Sequence, residues 1–533
     1  MRFPTSRTRF RKLTRRAQKF WWSPIQRINE LQQSCNFREG ILPRFTQSRR
    51  GRRPVNRCVL RAFQLFAGLC IAALSLRGQS DQVQADTRTN SSEPDRSYSL
   101  LRENEDWSFL KNPLFRQDFW DPIKYIPLGS DDRYLTLGGE VREVLERVGN
   151  DNWGKQPYWN TFVLQRYMFH SDWHLGEHFR VFIQLKSSLE DYRRGGPRPI
   201  DEKKLDFEAA YFEAGTAGKR NWIVLRVGRQ ELNYGSGRVV SVRQGPNVRQ
   251  SFDGFKIRSK AGEWNVDAWA VRPDLDKFGF FDNVPDHRTA FWGIYTTRPW
   301  HHQLSLDAYY LGLDRKKATF DRGTAPELRH TVGARLWRPI AKKERDWDCD
   351  YEGMWQFGSF GSDNIRAWTF ASDTGYGFPN APLKPRLSVK SDISSGDNPR
   401  TNTLGTFNPI FPIGNYFGVL ADTGPGPVNF IDVHPRAQMQ FPHGVSVSTD
   451  LVAQWRENIH DGVYAVPGFL LVPANGSRAR FVGYRPGIEA RWQIDRHAYL
   501  QADYGVFYAG QFLKQASPGR NINYFELWAG YEF

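Results

Sequence analysis

The sequence predicts an all-β protein, an 18-stranded antiparallel transmembrane β-barrel with short periplasmic turns and long extracellular loops. Three observations predict it: apolar and polar residues alternate along many segments, short and long connections alternate between those segments, and the chain ends in an amphipathic strand. Aromatic residues make up 15% of the chain, while hydrophobic residues make up only 40%. Such a composition suits strands that place every second residue against lipid.

The alternation is regular over whole segments. In residues 347–357, Trp347 and Trp355 share one face of the predicted strand, while Asp348 and Glu352 lie on the other. The candidate strands start near residues 133, 160, 178, 203, 221, 250, 263, 287, 302, 328, 346, 364, 384, 430, 445, 478, 496 and 522. A soluble sandwich alternates as well, but so many strands, even in number and without strong helical segments between them, favour a closed barrel.

The connections alternate in length along most of the chain. Short turns are expected at residues 175–177, 217–220, 261–262, 300–301, 444 and 494–495. Long loops are expected at residues 149–158, 232–249, 274–286, 316–327, 394–429 and 459–477. Around residues 361–363 and 376–383 the pattern breaks. Elsewhere it is the outer-membrane pattern of short periplasmic turns and long external loops.

The last segment is amphipathic up to the final residue. Phe525, Leu527, Ala529, Tyr531 and Phe533 alternate with more polar neighbours. A final strand that ends in an aromatic residue resembles the signal read by the barrel-assembly machinery. We therefore expect an outer-membrane location, with outer-membrane lipid and that machinery as partners.

The start of the chain is typical of an export leader. Residues 57–85 form a predicted signal peptide, because a basic flank precedes the apolar residues 62–74 and Ala85 is a small residue at the expected cleavage point. The apolar stretch is shorter than the roughly 20 residues of a spanning helix, which disfavours a membrane anchor. Residues 1–56 form a basic leader without apolar patterning, for which a translation start further downstream, near Val55, is one explanation.

Two further regions follow the leader. Residues 86–132 are predicted to form a periplasmic N-terminal segment that lies in the periplasm or closes the lower mouth of the barrel. Residues 133–533 are predicted to form the barrel itself. The expected anchors of the N-terminal segment are aromatic: Trp107, Phe109, Phe115, Phe119 and Trp120.

The net charge of +17 does not indicate a nucleic-acid-binding protein. Residues 1–61 hold 17 lysines and arginines against two acids, Glu30 and Glu39, which leaves residues 62–533 with a net charge of only +2. Because the basic charge sits in the leader, we expect no nucleic-acid partner. Cys349 is the single cysteine of the predicted barrel, so no internal disulfide is expected there.

Charged residues on the inner face of the strands require a wet interior. If the apolar residues face lipid, their alternating neighbours point into the lumen, where a dry core would impose a severe desolvation cost. Lys256, Arg258 and Lys260 share one such face. One interpretation is that this group of cations concentrates anions in the lumen. The alternative is that the cations pair with acidic residues of neighbouring strands and stabilise the wall.

The sequence carries no recognisable catalytic motif. It contains no Gly-x-Ser-x-Gly elbow, no His-Glu-x-x-His segment and no phosphate-binding loop. We therefore expect no enzyme activity, no catalytic residues, no cofactor and no metal site.

Several stretches resemble the alginate export family of outer-membrane barrels. Residues 243–254 read RQGPNVRQSFDG, and residues 404–412 read LGTFNPIFP. Further similar stretches lie at residues 105–110, 121–129, 135–142, 227–235, 395–397 and 416–418. The resemblance spans roughly residues 103–533.

The resemblance implies an 18-stranded barrel whose electropositive, arginine-rich constriction selects an anionic polysaccharide. It does not assign the constriction residue by residue, so we choose candidates by strand face. The lumen cations expected to bind the anionic solute are Arg226, Arg229, Lys256, Arg258, Arg386, Lys390, Arg485 and Arg491. The implied partners are an anionic polysaccharide or small anionic solute, together with periplasmic polysaccharide-secretion proteins.

The sequence therefore favours a channel for diffusion or export of an anionic solute, foremost an acidic polysaccharide such as alginate. One alternative is a general or small-solute porin. A second alternative, from another class, is a surface adhesin or outer-membrane enzyme that uses the long loops 232–249 and 394–429.

Overall fold

The computed structural model describes residues 95–129, 132–216, 218, 220–301, 303–340, 346–414, 416–418 and 424–533. The basic leader and the signal peptide predicted over residues 1–85 lie outside the described residues. Among the helices of the described chain, none is long and apolar enough to cross a membrane.

Eighteen long strands of the described chain form one antiparallel sheet. They are β1 Arg133–Asn150, β2 Gln156–Leu175, β3 Phe179–Asp191, β4 Lys203–Gly215, β5 Asn221–Glu231, β6 Ser251–Ala261, β7 Trp264–Leu275, β8 Thr289–Pro299, β9 Ser305–Phe320, β10 Gly323–Arg338, β11 Asp346–Phe360, β12 Asp363–Gly377, β13 Arg386–Ser394, β14 Phe430–Gln440, β15 Val445–Trp455, β16 Phe481–Gln493, β17 Ala498–Ala509 and β18 Ile522–Glu532. Each strand pairs with the next along the chain.

The sheet closes on itself. Strand β1 pairs with β18, from Glu140 opposite Glu532 to Gly149 opposite Asn523, so the first and last strands leave no free edge there. This confirms the predicted 18-stranded antiparallel barrel. The predicted starts agree closely with the observed strands, apart from β2 and β10, which begin earlier than expected.

Short elements connect the strands. Helical turns lie at Arg102–Asn104, Ser108–Lys111, Pro113–Phe115, Asp121–Lys124, Asp151–Gly154, Pro442–Gly444 and Gln511–Ala516. Two-residue or three-residue strands lie at Ile126–Pro127, Val284–Pro285, Thr403–Leu404, Val463–Tyr464 and Leu470–Val472.

The two ends of the barrel differ in the length of their connections. The terminal end, where β1 begins and β18 ends, carries turns such as residues 176–178 and 262–263. The opposite loop end carries residues 192–202, 232–250, 276–288, 395–429, 456–480 and 510–521. The predicted alternation of short and long connections is confirmed, with two exceptions at the loop end: the long loop predicted at residues 149–158 is only the connection 151–155, and residues 321–322 are short. The short connection at residues 361–362 agrees with the predicted break in the pattern.

The long loop predicted at residues 316–327 is wrong. Strands β9 and β10 continue to pair up to Phe320 opposite Gly323, so only residues 321–322 connect them. Ala318 and Phe320 are buried in the apolar core inside the barrel, and this burial extends β9 beyond the predicted end.

The side chains are distributed inside out relative to a soluble protein. Phe255 is 52% exposed and Trp355 is 47% exposed, although both are large and apolar. Arg226 and Arg329, in contrast, are fully buried. This is the arrangement of a membrane barrel, whose outer wall contacts hydrocarbon and whose polar residues point inward.

Parts of two long loops fold into the barrel. The backbone N–H of Ser241 donates to the carbonyl of Phe411 at 2.8 Å, and the N–H of Phe411 donates to the carbonyl of Val239 at 3.0 Å. The Phe411 ring contacts Phe252 and Phe291, with centroids 4.9 and 5.2 Å apart. The interior therefore contains a dry apolar core beside the charged residues, which the sequence did not predict.

Candidate functional site

The candidate site is the lumen, and most of the predicted cations point into it. Cross-strand pairing and burial place seven of the eight there: Arg226, Lys256, Arg258, Arg386, Lys390, Arg485 and Arg491. Their lipid-facing neighbours, such as Val227 and Leu387, are exposed. The seven do not form a single ring, however. They fall mainly into a group on β5 and β6 and a group on β13 and β16.

Arg229 is the exception. It lies three residues beyond Arg226, which places it on the opposite face of β5, together with its cross-strand partner Asp253. Its guanidinium contacts Asp253 at 2.9 Å and Asp274 at 3.1 Å near the loop end. The structure therefore does not bring Arg229 together with the other candidates.

The first group surrounds Arg226. Arg226 and Lys256 are cross-strand partners on β5 and β6, and both are buried. The guanidinium of Arg226 contacts Glu213 of β4 at 2.8 Å and Glu103 at 2.9 Å. Arg258 lies 3.9 Å from Glu213. We call Arg226, Lys256 and Arg258 the β5–β6 cluster.

Glu103 is a site residue that sequence reasoning missed. It comes from the N-terminal segment, 123 positions away from Arg226 in the chain. Burial raises the pKa of Glu103, but the positive charges of Arg226 and Lys256 outweigh that effect, so its pKa lies below the ordinary value. Glu103 therefore carries its negative charge inside the barrel at neutral pH.

The second group borders a cavity of about 260 Å³. The cavity is lined by Asp373, Ser388, Lys390, Tyr416, Gly418, His434, Arg436, Ser448, Asp450, Gly487, Ile488 and Glu489. The ammonium of Lys390 donates to the carbonyl of Tyr416 at 3.0 Å and lies 3.9 Å from the centre of its ring. Arg485, beneath the lining, contacts Asp450 at 3.0 Å.

The lining of this cavity carries both signs of charge. Lys390 and Arg436 are its cations, and Asp373, Asp450 and Glu489 are its carboxylates. The side chains of Asp373 and Glu489 are 37% and 34% exposed. The cavity can therefore accept hydrogen bonds from hydroxyl groups as well as attract an anion.

The remaining two candidates do not line the cavity. Arg386 contacts Asp348, a residue of β11, and lies 3.6 Å from Asp373 of the cavity lining. Arg491 donates to Gln501 at 3.3 Å, and its guanidinium lies 3.9 Å from the ring centre of Tyr499. Most of the predicted cations thus have partners on the wall. His434, which the sequence did not single out, contacts Asp450 at 2.9 Å and could have been found from its alternation with Val433.

No group of His, Cys, Asp and Glu side chains in the described parts of the chain is arranged to hold a metal ion. The barrel instead combines an apolar outer wall, a charged interior and a cavity that opens among those charges. These features define a transmembrane channel of the porin type.

The chain belongs to the alginate export family, whose model matches residues 133–526. This confirms the family resemblance seen in the sequence. A comparison with curated proteins gave no match. Membership of the family and a porin-like barrel fit a channel rather than an enzyme, and they fit the outer membrane.

Solved structures with a similar fold include OccAB2 of Acinetobacter baumannii, with a TM-score of 0.52 and 11% identity over 74% of this chain and 98% of that one. OpdO of Pseudomonas aeruginosa gives a TM-score of 0.51 and 10% identity over 77% and 98% of the two chains. At such identities the likeness concerns the fold alone.

Proposed function

We propose that the protein is an outer-membrane channel through which an anionic solute, foremost an acidic polysaccharide such as alginate, crosses by diffusion. The observation that carries this proposal is the cavity beside Lys390, where cations and carboxylates line the same space. Family membership supports the class of solute. The apolar outer wall gives the barrel its lipid partner, and periplasmic polysaccharide-secretion proteins are the proposed source of the polymer.

The chemistry of a uronate unit matches this cavity. Its carboxylate would meet Lys390 and Arg436, and its hydroxyl groups would donate to the partly exposed carboxylates of Asp373 and Glu489. The carbohydrate ring could lie against Tyr416. A mixed lining also limits how tightly a polyanion is held, as conduction requires binding that is favourable yet weak enough for release.

Planar bilayers test the proposal. Purified full-length protein under a KCl gradient should give a reversal potential of the sign expected for anion selectivity, and polyuronate added on one side should block the current. Neutral dextran of matched length is the control and should block less. Cation selectivity, or equal block by both polymers, would overturn the proposal.

A general or small-solute porin is the second candidate. It is favoured by the pairing of several lumen cations with wall carboxylates, such as Arg386 with Asp348, because pairing weakens the net field. This candidate predicts conductance for small solutes without polymer block. The adhesin or surface-enzyme alternative is less favoured, because parts of the loops it would use, around Val240 and Phe411, are folded into the lumen.

A further inference from the structure

The N-terminal segment enters the barrel from its terminal end. Arg102 donates to the backbone carbonyl of Phe533, beside the last strand, at 3.0 Å. The next residue, Glu103, contacts Arg226 on β5 at 2.9 Å. Strands β1 to β4 separate these two attachment points along the wall. The segment therefore crosses part of the mouth of the barrel instead of following a single strand.

Two hydrogen bonds from arginine side chains to backbone carbonyls of the N-terminal segment hold it across the mouth of the barrel. Arg180 of β3 donates to the carbonyl of Glu103 at 2.6 Å, and Arg249 donates to the carbonyl of Leu100 at 2.8 Å. Arg249 belongs to the loop that folds in from the opposite end, between β5 and β6. The segment is thus held by the wall and by an inserted loop, which fixes the position of the Glu103 carboxylate.

Glu103 occupies the place that an anionic solute would take in the β5–β6 cluster. One of its oxygens contacts Arg226, while the other, Oε2, is buried without a hydrogen bond in the described chain. Glu213 is the wall carboxylate in the same cluster, and it contacts Arg226 and Arg180. Glu103 therefore adds a negative charge that the barrel wall itself does not supply.

We infer that Glu103 is a selectivity-determining residue: it acts as an internal carboxylate that neutralises the β5–β6 cluster and weakens the attraction of this part of the lumen for anions. The inference rests on the proposed function, since it concerns the ions and polymers that pass. A fixed charge in the low-dielectric wall of a lumen changes the local concentration of mobile ions.

The test compares Glu103→Gln with wild-type protein in planar bilayers, using the full-length chain. The variant should raise the anion-to-cation permeability ratio at least about twofold and lower the polyuronate concentration that halves the current by a similar factor. Asp106→Asn is the matched control, because Asp106 is an exposed acid of the same segment, and it should behave like wild type.

A conservative variant distinguishes an effect of the lost charge from an effect on folding. Glu103→Asp retains the carboxylate and should keep the wild-type permeability ratio, while the heat-modifiable migration of each variant on gels reports an intact barrel. If wild type is anion-selective and Glu103→Gln leaves both readouts unchanged, the inference fails while the proposed function stands. If wild type is cation-selective, the proposed function fails, and a shift toward anions in Glu103→Gln would still support the role of Glu103.

Discussion

His434 and Arg485 contact the same carboxylate oxygen, Oδ2 of Asp450, at 2.9 and 3.0 Å. The other oxygen, Oδ1, is buried and makes no hydrogen bond in the described chain. Asp450 therefore joins two basic side chains of the wall, and its negative charge borders the cavity.

Replacing Asp450 with Asn should strengthen the interaction with anions. The change removes a negative charge from the cavity and leaves Arg485 without its ionic partner. We expect a higher anion-to-cation permeability ratio, by about twofold, and a stronger block by polyuronate, both measured in planar bilayers. A fall in anion selectivity would contradict the proposed role. Asp314→Asn, at an exposed position of β9, provides the control.

Replacing Lys390 with Gln should have the opposite effect. Lys390 is the cation nearest to Tyr416 in the cavity lining, so its loss removes the charge proposed to attract the solute. The permeability ratio should fall about twofold, and polyuronate should block more weakly. Lys390→Arg should retain most of the selectivity, and Lys514→Gln, in the exposed face of the short helix Gln511–Ala516, should change nothing. Unchanged selectivity in Lys390→Gln would exclude this cavity as the anion site.

Replacing Phe411 with Ala should loosen the inserted loops. Phe411 is 7% exposed and packs against Phe252 and Phe291 in the apolar core, so its truncation leaves a cavity. A loss of roughly 3–5 kcal/mol in the free energy of unfolding is typical of such a change. Urea unfolding should show that loss, and single-channel traces should become larger or noisier. Phe469→Ala, at a 69% exposed loop position, should leave both unchanged.

Docking of the N-terminal segment should depend on pH through Lys124. Burial lowers the pKa of Lys124 from 10.5 to about 7, because its ammonium lies among Tyr98, Trp107 and Arg102, with the opposing charges of Glu105, Asp118 and Asp121 too weak to compensate. Between pH 7 and 10.5 the undocked lysine binds more protons than the docked one, so docking should become more stable as the pH rises.

Limited proteolysis of residues 95–129 across this pH range checks the prediction. Protection should increase from about pH 7 upward and level off near the ordinary pKa of lysine. In the Lys124→Met variant, the protection from proteolysis should no longer increase between pH 7 and 10.5. Protection that decreases with pH in the wild-type protein would contradict the assignment.

The barrel was predictable because a strand in a membrane wall obeys a period of two. Trp347 and Trp355 face outward and Asp348 and Glu352 face inward in the structure, as their alternation predicts. The same rule places Arg229 on the face opposite Arg226, because the two residues are three positions apart, and the structure agrees with the rule rather than with the predicted lumen position of Arg229.

The contents of the lumen were not predictable in the same way. The contact between Glu103 and Arg226 joins residues 123 positions apart and depends on how a segment without periodicity crosses the barrel. The inward folding of the loop around Val240 depends on its contact with Phe411, a residue of another loop. The local sequence of a loop contains no information on which distant residue it will contact. The alternation that forms a strand, in contrast, is visible within the sequence of that strand alone.

The attachment of the N-terminal segment to the last strand strengthens the barrel where it closes. Arg102 needs the carbonyl of Phe533, and Trp120 stacks on the Phe533 ring with centroids 4.5 Å apart. Both contacts lie beside the seam at which β18 pairs with β1. The N-terminal segment therefore braces the junction between the first and last strands of the described barrel, which are the most distant from each other along the chain.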